Sequence, residues 1–131
     1  MQTLQQLRAK HALSAIQKLA KEYEKDSEKL KKLKARASEL PFMIHANGLG
    51  QALAFFKSKE GKEDKKDKDG YGKLFEILQN WLTEKGRPFA EQKDKDLMAA
   101  VIETDFQTYR IAQAEAIQYM DWVKKFASAY L

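Results

Sequence analysis

Apolar residues recur along this chain at intervals of three and four, and nowhere do they alternate with polar ones over the length of a strand. A period near 3.6 marks a helix buried along one face, whereas a half-buried strand needs a period of two. The clearest series is Leu30, Leu33, Ala37, Leu40 and Ile44, whose spacings of 3, 4, 3, 4 form a narrow heptad-like seam. The chain is therefore expected to be all-α.

Six helices account for the pattern, three long and three short. The first is expected from about Thr3 to Lys25, with Leu4, Leu7, His11, Ala12, Ala15, Ile16, Leu19 and Tyr23 on one broad face. The second opens near Ser27, a good N-cap, and contains Pro41, which should kink or split it. Asn47-Gly48 supplies a left-handed stop. A short third helix is expected over 49–57. The fourth is expected over 72–84, ended by Gly86 and Pro88. A fifth covers about 94–103. Thr104 and Gln107 have capping-box spacing at the start of the last helix, which reaches about Tyr130. Between 57 and 72 the run KSKEGKEDKKDKDGYG offers almost nothing to bury and reads as a mobile charged loop. At 131 residues, all of this fits a single compact bundle, 1–131.

Charge is distributed unevenly. Residues 1–56 carry ten basic and five acidic side chains, while 70–131 carry eight and nine. The net +5 of the chain therefore lies at its start. Lys10, Lys18, Lys21 and Lys25 project from one side of the first helix, and Lys29, Lys32 and Arg36 from the side of the second helix away from its seam. Such polarity favours an acidic partner, nucleic acid foremost; the alternative is a solvated lysine-rich surface.

Chemistry-bearing patterns are missing. With no cysteine, disulfides, thiolate metal sites and cysteine nucleophiles are excluded, and the composition suits the cytoplasm. His11 and His45 are too few and too dispersed for a histidine metal site. Gly48-Leu49-Gly50 lacks the lysine-serine pair of a phosphate loop. The Asp- and Gly-rich run orders its ligands wrongly for calcium. No secretory signal and no run approaching the ~20 apolar residues of a membrane span is present. Neither catalysis, a cofactor, a metal, a small-molecule substrate nor a membrane is expected. Binding is.

Several residues admit two readings. Arg8 lies at the edge of the apolar face, as a structural arginine or a phosphate-recognising one. Trp81 and Trp122 fit core anchors better than base-stacking platforms. Asn47 and Gln51 are capping residues or polar contacts to a ribose or phosphate. His11 fits a satisfied histidine at the core edge.

The run R-A-x-x-L-P-x-x-I-x-x-N-G-L-x-Q, from Arg36 to Gln51, is similar to that of one family. Arg8-Ala9, Tyr71 through Leu82, and Tyr109-Arg110 through Ala127 extend the likeness over nearly the whole chain. The chain resembles the small helical subunit of type III-B, Cmr-type, CRISPR effector complexes. The resemblance implies a structural, RNA-binding subunit in antiviral defence. It implies stacking with copies of itself beside the guide-bearing subunits, along target RNA paired with the guide RNA, with cleavage left to other subunits. The lysine-acid segment departs from that pattern and is left out of the carry-over. Within this picture Arg8, Lys18, Lys21, Lys25, Lys32 and Arg36 are the expected phosphate contacts, positioning the backbone rather than reading bases. The competing expectation is an adaptor that binds an acidic protein surface without RNA.

Overall fold

Six α-helices form, with no strand among the described residues: α1 (Leu4–Glu22), α2 (Ser27–Asn47), α3 (Leu49–Lys59), α4 (Tyr71–Leu82), α5 (Leu97–Glu103) and α6 (Phe106–Tyr130). The computed structural model describes residues 1–61, 67–93 and 96–131. Helices α1, α2 and α6 are the long ones, at 19, 21 and 25 residues. The bundle is organised around α6, on which both α1 and α2 lie. Each of the three buries one stripe: Ala12, Ile16 and Leu19 from α1; Leu33, Ala37, Leu40 and Ile44 from α2; and Ala112, Ala116, Tyr119, Met120, Val123 and Ala127 from α6. Short α4 closes the core with Leu74, Phe75, Ile77, Leu78, Trp81 and Leu82.

Local chemistry sets the ends of these helices. Thr3 caps α1 through a reciprocal pair, its hydroxyl accepting from Gln6 N at 3.1 Å while Gln6 Oε1 accepts from Thr3 N at 2.8 Å. The α1 helix stops at Glu22, so Lys25 lies in the following turn rather than on the helix. Asp26, not Ser27, caps α2 by accepting from Lys29 N. Pro41 is buried within an unbroken α2. Gly48, at φ +89°, separates α2 from α3.

Three further expectations shift. Thr83 rather than Gly86 closes α4. Thr104 closes α5, donating its N–H to Ala100 O, so the cap of α6 falls to Asp105, which accepts from Thr108 N at 2.8 Å. The segment expected as a loop over 57–72 is helical at both ends, through Lys59 and from Tyr71. Between these ends Asp67 holds Lys73 N at 2.9 Å and Gly70 packs on Leu33. The mobility expected of 62–66 lies outside the described residues, as does the first residue expected of the fifth helix. Leu4 and Leu7, expected in the core, are 39% and 38% exposed at the open end of α1. Exposed Ile102 and Phe106 likewise lie outside the core at the α5–α6 corner.

Candidate nucleic-acid interface

The two basic stripes separate once partners are assigned. On α1, Lys18 and Lys21 are exposed, as is Lys25 in the turn beyond, and among the described residues none of the three pairs with a carboxylate. Carboxylates stand near them without pairing: Lys18 shares a cavity with Glu22 and Glu76, and exposed Glu24 lies between Lys21 and Lys25 in the chain.

Three α2 cations, Lys29, Lys32 and Arg36, instead have local partners, while Lys31 and Lys34 of the same helix are exposed and without a carboxylate partner among the described residues. Lys32 Nζ lies 3.2 Å from Asp69 Oδ1, and Lys29 donates to the carbonyl of Asp67. Arg36 lies 4.4 Å over the Tyr71 ring, with Nε 3.1 Å from Glu39 Oε2 but without a formed hydrogen bond. The side chains of Lys32 and Arg36 are 45% and 20% exposed. An exposed ion pair contributes little and can be exchanged for a phosphate, so Lys32 remains usable; Arg36 is largely committed to Tyr71. A cavity of about 590 Å³ lies between the α1–α2 turn and residues 67–73, lined in part by Tyr23, Lys29, Lys32, Lys68 and Lys73. Asp26, Glu28 and Asp67 line it as well, and Lys18, Lys21 and Lys25 do not.

Arg8 follows its structural reading. Its Nε and Nη2 donate to Glu115 Oε2 and Oε1 at 2.6 and 2.8 Å, and Glu115 Oε2 also accepts from Trp81 Nε1 at 2.9 Å. The Arg8 and Glu115 side chains are only 11% and 9% exposed. Burial pushes the Glu115 carboxyl up, but the Arg8 and Trp81 hydrogen bonds outweigh it and hold the group below its usual range. This bidentate pair ties α1, α6 and α4 together and takes Arg8 out of the cationic surface. Glu115 is the residue that sequence reasoning missed. Its signal was a carboxylate inside the apolar series of α6, three residues after Ala112 and four before Tyr119.

Beside this pair, His11 Nδ1 lies 2.6 Å from the Tyr119 hydroxyl and Nε2 lies 3.7 Å from Glu84. Burial lowers the His11 pKa against the opposing pull of Glu84. Trp81 stacks on Tyr119 at 5.0 Å and 8° and is a core anchor. Trp122 is half-buried at the surface and donates to Gln5 Oε1. The first amides of α3 are closed by α6, with Leu49 N donating to Gln113 Oε1 and Gly50 N to the Tyr109 hydroxyl, each at 2.8 Å. Asn47 and Gln51 stay exposed beside that junction. Among the described residues no group of three metal-ligating side chains converges, and no helix is long and apolar enough to cross a membrane.

Residues 4–130 match the family described as CRISPR-associated protein (Cas_Cmr5). The chain belongs to the Cmr5 family. It is similar to the X-ray crystal structure of a CRISPR-associated Cmr5 family protein from Thermus thermophilus. The two share 27% sequence identity over 100% of this chain and 99% of that one, with a TM-score of 0.74. Membership of the Cmr5 family makes the chain a subunit of the Cmr complex in CRISPR defence. Arg8, Ala9 and the 36–51 run therefore belong to a Cmr5 scaffold: Arg8 as the α1–α6 tie, Leu40, Pro41 and Ile44 as the buried seam, and Gly48 as the helix junction.

Proposed function

We propose that this chain is a non-catalytic structural subunit of a cytoplasmic type III-B CRISPR ribonucleoprotein. It stands with copies of itself beside the guide-bearing backbone and contacts phosphates of the target and guide RNA. Lys18, Lys21 and Lys25 make the principal contacts, Lys32 and Arg36 subsidiary ones, and Arg8 none. One observation supports this reading: Lys18, Lys21 and Lys25 are exposed and without a carboxylate partner among the described residues, whereas Lys32 and Arg36 each lie beside one. An unpaired lysine on a rigid helix gains from displacing counterions along a polyanion, and it does so without sequence preference.

Photo-crosslinking from position 21 in the assembled complex tests it. RNA should be the principal adduct, independent of guide sequence. Adducts confined to protein would contradict the reading.

A further inference from the structure

A second surface lies on a different side of α1, where α1 and α4 run beside one another. A cavity of about 380 Å³ opens there, with Leu7 and Trp81 among its lining residues and Lys10, Lys85 and Arg87 around it. A further cavity of about 270 Å³ shares His11 and Ser14 with it and continues toward Lys18 and Lys73, where Glu22 and Glu76 balance the two lysines. Together they form a furrow along the two helices.

The chemistry of the furrow is mixed in a particular way. Leu7 is 38% exposed, a large apolar side chain among charged ones. Among the described residues, Lys10, Lys85 and Arg87 have no carboxylate partner. The single acid lining that end, Glu84, lies 3.7 Å from His11. An apolar floor edged by two exposed, unpaired lysines and by Arg87, whose guanidinium lies over Trp81, calls for an occupant with an apolar side chain flanked by carboxylates. Nucleic acid fits less well. Trp81 is the one aromatic ring other than His11 lining this cavity, and it offers no stacking platform. Tyr119 stacks on it, Arg87 lies 4.9 Å over its ring, its N–H is given to Glu115, and it is 4% exposed. His11 is held by Tyr119.

We propose that the furrow between α1 and α4 docks an acidic, apolar-anchored segment of a neighbouring protein subunit, the apolar side chain on Leu7 and its carboxylates on Lys10, Lys85 and Arg87. The chain then has two cationic faces with different partners. Lys18, Lys21 and Lys25 meet phosphate, and the Leu7 end of the furrow meets protein. This inference stands whether or not the RNA reading does.

The test is a titration of the full ¹⁵N-labelled chain with a glutamate-flanked leucine–phenylalanine peptide and, separately, with an oligouridylate. The peptide should shift the amides of Leu7, Lys10, Ser14 and Lys85 and the Trp81 indole. A Lys10→Glu/Lys85→Glu variant, changed only at exposed lysines, should weaken peptide binding about tenfold. A Lys21→Glu/Lys25→Glu variant, changed at lysines that do not line the furrow, should leave peptide binding unchanged while weakening RNA binding. Leu7→Ser should also weaken the peptide, with circular dichroism confirming the helices. The proposal is overturned if the peptide shifts no furrow amide, if the oligouridylate occupies the same amides more tightly, or if the Lys10/Lys85 variant binds the peptide as well as the parent.

Discussion

Arg8 and Lys18 are carried by the same helix, yet only Lys18 faces water. Arg8 is committed to Glu115, and a buried ion pair stripped of one partner leaves an uncompensated charge behind. Replacing Arg8 with Ala should therefore cost about 3 kcal/mol in urea unfolding. Replacing Lys18 with Ala should stay within about 0.5 kcal/mol. His11 adds a pH dependence. Its pKa is lowered in the folded chain, so the unfolded chain binds more protons once the pH falls into the range of an ordinary histidine. The contribution is full above about pH 6.5 and is lost as the pH falls below it. His11→Asn should flatten the loss of stability between about pH 8 and pH 5.5 that the parent shows by urea titration. The residue scale is also where sequence is hardest to read. The position of Arg8 at the edge of the apolar face allowed either role, and only the approach of Glu115, 107 residues away, decides between them.

Helices were legible because burial imposes a period, and a period can be seen in one dimension. The Leu33, Ala37, Leu40, Ile44 seam and the α4 cluster are buried as their spacing requires. Caps were less legible, because adjacent polar residues compete for one job. Where Asp26 precedes Ser27, and Asp105 follows Thr104, the carboxylate takes the amide in both cases. Thr104 is occupied in closing α5. Removing the cap should show this. Asp105→Ala should lower the midpoint of thermal or urea unfolding. Gln107→Ala, at an exposed position whose spacing from Thr104 suits a capping box that does not form, should stay within about 0.5 kcal/mol. Pro41 illustrates the opposite limit. Its ring sits in the buried seam of an unbroken α2 packed on α3, α4 and α6, where tertiary packing overrides the local preference to end the helix.

Over the molecule as a whole, one surface property organises the account: the excess positive charge of the first 56 residues is divided by the fold. The run that enters α4 supplies the Asp67 carbonyl to Lys29 and the Asp69 carboxylate to Lys32, while Lys18, Lys21 and Lys25, with Lys31 and Lys34 of α2, are left to the exterior. Composition revealed the excess; it could not reveal that Asp67 and Asp69, far along the sequence, reach Lys29 and Lys32 when α4 packs. Beside α1 lies the furrow, to which α1 gives Lys10 and the segment after α4 gives Lys85 and Arg87. The central claim is that the α1 lysines lie against a polyanion, and the salt dependence of target-RNA binding by the assembled Cmr complex tests it most directly. With Lys18→Glu, Lys21→Glu and Lys25→Glu in every copy of the chain, the slope of log affinity against log salt should become shallower by about 0.7 to 0.9 for each phosphate no longer neutralised, with the complex still assembled. Superimposable salt plots for the parent and variant complexes would contradict it.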